Sequence, residues 1–306
     1  MLAAVDVGTN SVRLLLGELS AGRLLPIRYE RSITRLGGGF VAEKGLAPEA
    51  MERTLLALWQ FAELLKVSNV GSVRAVGTQA LRQAMNGQQF VDRVQAELGL
   101  PLRIIDGDEE ARLSALGVAE ALSPKPERYL VFDIGGGSTE FVYCENDKIL
   151  FSRSYPLGMV RLAESCPSSD EVKSEIEQQL DLFINDLTEA APSVDASQCT
   201  LVGTAGTVTT IAAMDLTMTS YDWRRINNHQ IGQRKILALV NRLLPLSIDE
   251  REQLPGMEKG RGDLIVPGLL TVAAIMKRLN QRCLAVSDFG LLEGALLSLA
   301  DATNAN

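Results

Sequence analysis

"YLVFDIGGGSTEFV" (residues 129–142) sets an apolar run against an aspartate, three consecutive glycines and a Ser-Thr-Glu run. Apolar residues on both sides of the glycines predict two strands joined by a tight turn. Glycine lets such a turn approach a ligand closely and leaves successive N–H groups free to point at an anion. The stretch on its own is explained either as a phosphate-binding turn, made by Gly135, Gly136, Gly137 and Ser138, or as a plain tight turn.

The same pattern opens the chain, because "AVDVGTNSVRLLL" (4–16) aligns with "VFDIGGGSTEFVY" (131–143). The alignment pairs three polar or glycine positions: Asp6 with Asp133, Gly8 with Gly135, and Ser11 with Ser138. One such hairpin alone is explained equally well as a plain turn, since aspartate and glycine favour turns. Two copies in the same order make coincidence much less plausible. We therefore expect a duplicated hairpin that faces a cleft and clamps phosphate from both sides.

Strands and helices alternate along the rest of the chain. Residues 47–67 have the apolar spacing of a helix, whereas 72–84 and 102–122 each predict a strand followed by a helix. Two further strand–turn–helix units are predicted at 200–214 and 283–300. This alternation indicates an α/β fold with mostly parallel sheets.

The length of the chain predicts two domains, because 306 residues exceed the comfortable size of one hydrophobic core. The segment "SPKPER" (123–128) carries two prolines just before the second hairpin and is typical of a linker. We place an N-terminal domain over residues 1–124 and a C-terminal domain over 125–306. The last helix is a candidate to pack back onto the first domain.

Composition disfavours several classes of function. A net charge of −8, from 30 basic and 38 acidic residues, disfavours a nucleic acid partner. With His229 as the single histidine, a Ser-His-Asp triad or a His-rich zinc site is disfavoured. Four cysteines without a CxxC pair, and a start without a basic leader, favour the cytoplasm. The apolar run at 264–276 is too short to span a bilayer, so no membrane segment is expected.

Carboxylates beside the predicted turns indicate a metal. Asp6 and Asp133 are candidate Mg²⁺ anchors, because an aspartate next to phosphate needs a cation between them. Glu140 shares a strand face with Ser138 and is a candidate metal or water contact. The cluster "DGDEEAR" (106–112) is explained either as the capped first turn of a helix or as the source of a general base.

Together, the two hairpins, "GTQALRQA" (77–84) and "DGDEEARLSALGV" (106–118) resemble the exopolyphosphatase and guanosine pentaphosphate phosphatase (Ppx/GppA) family, in its short two-domain form. The resemblance covers nearly the whole chain. Its most specific part is the "EEAR" helix followed by "DIGGGSTE". The resemblance implies two actin-like (ribonuclease H-like) domains with a cleft between them.

The resemblance also implies roles for individual residues. Glu110, the second glutamate of "EEAR", is implied to be the general base. Without the resemblance, the residues alone do not decide whether Glu109 or Glu110 is the base. Phosphate contacts are implied for the first turn and for two arginines, namely Gly8, Thr9, Asn10, Ser11, Arg35 and Arg82. The alternatives are that Arg35 lies in a solvated loop and Arg82 on a helix surface.

The implied activity is the release of terminal orthophosphate from inorganic polyphosphate and/or guanosine pentaphosphate, a stringent-response nucleotide, by attack of water assisted by Mg²⁺ or Mn²⁺. One alternative is an ATP-dependent kinase in which Gly206 and Thr207 contact the ligand, although core packing explains most of that turn. Another is a non-catalytic nucleotide-binding protein. A homodimer is the candidate oligomer.

Overall fold

The computed structural model describes residues 1–20, 23–40, 45–146, 148–166, 168–192 and 194–304. The chain divides into two units, one of Met1–Glu120 with Phe289–Asn306 and one of Ala121–Asp288. The boundary between the units lies after Glu120, whereas the sequence analysis places it after residue 124. The segment that begins at Phe289 belongs to the first unit and not, as the domain bounds of the sequence analysis assume, to the second.

The first unit is built on a sheet with the strand order β3-β2-β1-β4-β5. Its strands are β1 (Leu2–Val7), β2 (Ser11–Ser20), β3 (Arg23–Ile33), β4 (Ser72–Gly77) and β5 (Leu102–Ile104). Its helices up to the division are α1 (Pro48–Val67), α2 (Gln79–Gln83), α3 (Gly87–Leu98) and α4 (Gly107–Ala121). The first three strands are antiparallel neighbours, and β4 and β5 continue the sheet in parallel from β1. Parallel neighbours put the carboxyl ends of β1, β4 and β5 at one sheet edge.

The second unit has the strand order β10-β11-β9-β6-β7-β8. Its strands are β6 (Arg128–Ile134), β7 (Thr139–Glu145), β8 (Lys148–Tyr155), β9 (Thr200–Thr204), β10 (Gln230–Gly232) and β11 (Cys283–Val286). Its helices are α5 (Met159–Ser165), α6 (Ser169–Ala190), α7 (Ala205–Asp215), α8 (Trp223–Ile226), α9 (Gln233–Leu243), α10 (Ile248–Glu252) and α11 (Ile265–Arg278). The strand order β8-β7-β6-β9-β11 in this sheet corresponds, strand by strand, to β3-β2-β1-β4-β5 in the first sheet. The predicted α/β class with two similar halves is confirmed, but both sheets are mixed rather than mostly parallel, because β1 to β3 and β6 to β8 pair antiparallel.

The last helix, α12 (Leu291–Asn304), packs against β1, β2 and β4. Two glycines allow it to approach α4 closely. A Cβ on Gly294 would lie 1.8 Å from the Leu113 carbonyl oxygen, and one on Gly117 would lie 2.0 Å from that of Gly290. This last helix therefore belongs to the first unit.

Each predicted hairpin is in fact part of a three-stranded antiparallel arrangement, with β3 and β8 as the outer strands. The sequence analysis misses β3 because this edge strand is only partly buried and its apolar alternation is weak. It also carries Pro26, which pairs with Gly17 at a register shift between Leu16 and Gly17.

The apolar run at 264–276 forms most of α11, whose Leu269, Val272 and Ile275 are fully buried in the core of the second unit. Within the described ranges, no helix is long and apolar enough to cross a membrane.

Candidate active site

The turn between β1 and β2 exposes backbone donors. Gly8 N–H donates to the Ser11 carbonyl at 3.0 Å, and a Cβ on Gly8 would lie 3.1 Å from that same oxygen. Among the described residues, the N–H groups of Thr9 and Asn10 have no protein acceptor. The buried side-chain amide of Asn10 likewise has no hydrogen-bond partner there. Buried polar groups are normally satisfied, so this turn is suited to an anionic ligand.

A loop packs directly onto this turn and brings Arg35 to it. Arg35 N–H donates to the Asn10 carbonyl at 2.8 Å, and Gly37 N–H donates to the Thr9 carbonyl at 2.9 Å. A Cβ on Gly37 would lie 2.4 Å from Thr9 Cγ2, so only glycine permits this approach. The Arg35 side chain is exposed on a left-handed backbone, with φ at 47°. The structure thus joins two segments that the sequence analysis treats separately.

Glu110 and Arg82 lie together in the first unit. Arg82 Nη1 donates to Glu110 Oε2 at 3.0 Å and to the Ile105 carbonyl at 2.8 Å. Arg82 Nη2 donates to Gln79 Oε1 at 2.7 Å. Three acceptors therefore fix the guanidinium, which argues against a freely solvated Arg82. Gln79 is a residue that sequence reasoning misses, and only its position in the same short helix as Arg82 hints at this contact.

The neighbouring Glu109 has different partners. Arg74 donates to Glu109 Oε1 and also to the Ser298 hydroxyl. The Asp106 carboxylate accepts from Glu109 N–H at 2.8 Å, so Asp106 caps α4 as one interpretation of the cluster predicts. The Glu109 side chain is 33% exposed and that of Glu110 is 10% exposed. Of the two glutamates left open by the sequence, Glu110 is the one held beside Arg82.

The turn between β6 and β7 repeats the geometry of the first. Gly135 N–H donates to the Ser138 carbonyl at 2.9 Å, and a Cβ on Gly135 would lie 3.1 Å from that oxygen. The carbonyls of Gly135 and Gly136 accept from Met159 and Val160 N–H groups at the start of α5, at 3.0 and 2.8 Å. In the part of the chain that the structure describes, the N–H groups of Gly136 and Gly137 donate to no acceptor. The carbonyls of Gly135 and Gly136 are thus hydrogen-bonded within the protein, while the N–H groups of Gly136 and Gly137 can donate to an anion.

Asp133 and Glu140 are cross-strand partners on β6 and β7. They are 9% and 2% exposed, and Ser154 Oγ donates to Glu140 Oε1 at 2.6 Å. Like charges that face each other across a sheet are destabilising unless a cation lies near them. Mg²⁺ is usually bound through one or two carboxylates together with waters and substrate phosphates. The oxygen donors of this pair fit Mg²⁺, although no group of three or more metal-ligating side chains occurs among the described residues.

Asp6 has a cation as its cross-strand partner. Arg13 lies opposite it on β2 and donates from Nε and Nη2 to Asp6 Oδ2, at 2.9 and 2.7 Å. Asp6 Oδ1 is buried and, within the described residues, has no hydrogen-bond partner. Sequence reasoning misses Arg13, yet the alignment of the two hairpins puts it at the position of Glu140.

Gly206 and Thr207 lie in the first turn of α7, where the buried side chain of Arg261 packs against the helix. A Cβ on Gly206 would lie 1.9 Å from Arg261 Nη2, and Arg261 Nε donates to Glu258 Oε2 at 2.7 Å. The Thr207 methyl group packs closely against Gly268, because a Cβ on Gly268 would lie only 2.3 Å from Thr207 Cγ2. Thr207 therefore has a packing role, while Gly206 lies next to a cation that the sequence analysis did not anticipate.

The chain was also compared with known protein families, curated proteins and solved structures. The model of the Ppx/GppA phosphatase family matches residues 17–303. The chain is 36% identical to Exopolyphosphatase 2 of Mycobacterium tuberculosis, over 98% of each chain. It is similar to the crystal structure of the Aquifex aeolicus Ppx/GppA family member, with a TM-score of 0.81, 31% identity, and 99% and 98% of the two chains covered. An exopolyphosphatase from Cytophaga hutchinsonii gives a TM-score of 0.86 at 27% identity, over 98% of each chain. The chain therefore belongs to the Ppx/GppA phosphatase family.

Proposed function

We propose that the chain is a phosphohydrolase that releases terminal orthophosphate from inorganic polyphosphate, from guanosine pentaphosphate, or from both. The observation that carries the proposal is Glu110, a carboxylate held beside Arg82 at the start of α4. An ionised carboxylate can accept a proton from a water molecule near a phosphate, and the hydrogen bond from Arg82 holds this carboxylate in place. The exopolyphosphatase activity named for relatives supports polyphosphate as the substrate.

The proposed reaction is attack of water on the terminal phosphorus. Glu110 accepts a proton from the water as the new P–O bond forms, and the bond to the bridging oxygen breaks. The bridging oxygen leaves with the shortened phosphate chain, which keeps the electron pair of that bond. Because water is the nucleophile, the reaction needs no covalent intermediate on a cysteine, serine or histidine.

Backbone amides and arginines would hold the charge of the transferring group. The turns at residues 8–11 and 135–138 offer N–H donors, and Arg35 and Arg82 add positive charge. Mg²⁺ or Mn²⁺, when bound by Asp133 and Glu140, would supply further positive charge to the phosphate oxygens.

We also propose a cytoplasmic enzyme without a nucleic acid partner. All four cysteines are free thiols, which suits a reducing compartment. The net charge of −8 opposes broad binding of nucleic acid.

The test is a side-by-side measurement of orthophosphate release from polyphosphate, guanosine pentaphosphate and ATP, each with Mg²⁺ and with a chelator. We expect release from polyphosphate, guanosine pentaphosphate or both, and a loss of about 100-fold or more with the chelator, since a metal ion contributes several kcal/mol. No release from any substrate would falsify the proposal. Loss of ATP only when an acceptor is present would instead identify a kinase, and tight binding without release would identify a nucleotide-binding protein.

A further inference from the structure

The chain passes between the two units twice. The first crossing lies between Glu120 and Ala121, and the second lies between Asp288 and Phe289. Ala121 and Asp288 are therefore the first and last residues of the second unit. The contacts that hold these two ends within the second unit determine how freely each connection moves.

One pair of adjacent asparagines, Asn227 and Asn228, holds the backbone at both crossings. At the first crossing, Asn228 Nδ2 donates to the Ala121 carbonyl at 2.9 Å, and Asn228 Oδ1 accepts from Ser123 N–H at 3.0 Å. At the second crossing, Asn227 Oδ1 accepts from Asp288 N–H at 2.6 Å. Two neighbouring side chains are thus hydrogen-bonded to both connections.

The chemistry of asparagine suits the position of Asn228. Its side-chain amide carries both a donor and an acceptor, and the two groups meet a carbonyl and an N–H of the same connection. The backbone of Asn228 is left-handed, with φ at 65°, a conformation that asparagine adopts more readily than most residues. Aspartate in its place would lose the donor, whereas alanine would lose both groups and strain the backbone.

The asparagine pair is itself bonded to the secondary structure of the second unit. Asn227 N–H donates to the Trp223 carbonyl of α8 at 2.9 Å. Asn228 N–H donates to the Val286 carbonyl of β11 at 2.8 Å, and Val286 N–H donates to the His229 carbonyl at 2.9 Å. The pair therefore belongs to a segment that is fixed to the sheet, and it can restrain whatever its side chains bind.

We propose that Asn227 and Asn228 form a shared anchor for the two connections, and that this anchor limits how far either unit moves relative to the other. Hinges between domains are usually a few loop or element-terminal residues, and both crossings lie at such residues. The hydrogen bonds of the anchor must break before the backbone next to them rotates freely. Because the two side chains are adjacent, a displacement of their segment acts on both connections together.

The first test measures hydrogen exchange of the Ser123 and Asp288 amides by nuclear magnetic resonance. The variants are Asn227→Gly and Asn228→Gly, because glycine removes the side chain and still permits a left-handed backbone. We expect exchange at least about tenfold faster for Ser123 in Asn228→Gly and for Asp288 in Asn227→Gly, with the other amide within about threefold of the wild type. An unchanged rate at the amide that the removed side chain binds would overturn the inference.

Asn280→Gly is the matched control. Asn280 lies in the same unit and also has a left-handed backbone, with φ at 51°. Within the described residues, its N–H donates to the Lys277 carbonyl and no hydrogen bond joins it to residues 121–123 or 288. Exchange of the Ser123 and Asp288 amides should therefore match the wild type in this variant. Equally fast exchange in Asn280→Gly would mean that added backbone flexibility, and not the anchor, is the cause.

The second test measures the spread of distances between spin labels on the two units by pulsed electron paramagnetic resonance. Gln60→Cys in α1 and Gln178→Cys in α6 provide exposed labelling positions, one in each unit. Cys166 and Cys283, the two thiols that are not buried, are replaced by serine.

We expect the distance distribution to become about twofold broader in the double variant Asn227→Gly, Asn228→Gly, and less broad in each single variant, because one connection then stays anchored. Circular dichroism establishes which variants are folded. A folded double variant with the wild-type distribution, or equal broadening in Asn280→Gly, would overturn the inference. If the double variant does not fold, the single variants compared with Asn280→Gly decide the question by the same measurement.

Discussion

Replacing Glu110 by glutamine is expected to lower the turnover number by about 10²- to 10⁴-fold, the usual contribution of a general base. Glutamine has the same shape, and its side-chain oxygen can still accept the hydrogen bond from Arg82 Nη1. It cannot take a proton from water at neutral pH. Substrate affinity and the free energy of unfolding should therefore stay close to those of the wild type. The measurement is steady-state phosphate release from polyphosphate, with substrate binding measured separately by calorimetry.

Glu109→Gln is the matched control for this change. Glu109 is the adjacent residue in the first turn of α4, but its carboxylate pairs with Arg74 rather than with Arg82. We expect its turnover to remain within about threefold of the wild type, since partly exposed ion pairs contribute little. A large loss in Glu109→Gln together with near-normal turnover in Glu110→Gln would identify Glu109 as the base.

Glu140→Gln is expected to cause the second large loss. The amide oxygen can still accept the Ser154 hydrogen bond, but the side chain no longer contributes a negative charge opposite Asp133. Because a metal ion contributes several kcal/mol and each 1.4 kcal/mol is about a factor of ten in rate, turnover at limiting Mg²⁺ should fall by at least about 100-fold. The Mg²⁺ concentration that gives half-maximal rate should rise by at least about tenfold, in line with weakened metal ligation.

Glu145→Gln is the control for that experiment, because Glu145 lies on the same strand and pairs with Arg128 at 2.6 Å, outside the proposed site. Its Mg²⁺ dependence should match that of the wild type. An unchanged Mg²⁺ dependence in Glu140→Gln would mean that this residue does not hold the metal, whatever happens to the maximal rate.

Local sequence patterns were sufficient to predict both glycine hairpins. Each hairpin combines the apolar alternation of strands with glycines that are typical of a tight turn. A window of about a dozen residues is therefore enough to predict the two strands and the turn between them. The repeat then ties the two windows together, and the shared strand order of the two sheets follows from it. The outer strands β3 and β8 carry no equally clear alternation, because an edge strand has less surface to bury.

Contacts within the candidate site were harder to predict. Arg82 and Glu110 are 28 residues apart and meet only because β4 and β5 pair in parallel and their following segments begin at the same sheet edge. Arg13 acts on Asp6 through the register of β1 and β2, which apolar alternation alone does not fix. Arg261 reaches Gly206 from a separate segment of the second unit, so its proximity depends on the packed core.

The most direct test of the proposed hydrolysis is to run one turnover on polyphosphate in water enriched in ¹⁸O and to locate the label by mass spectrometry. If water attacks the terminal phosphorus, each released orthophosphate carries one ¹⁸O and the shortened chain carries none. Label in the shortened chain, or orthophosphate released without label, would contradict attack of water on the terminal phosphorus.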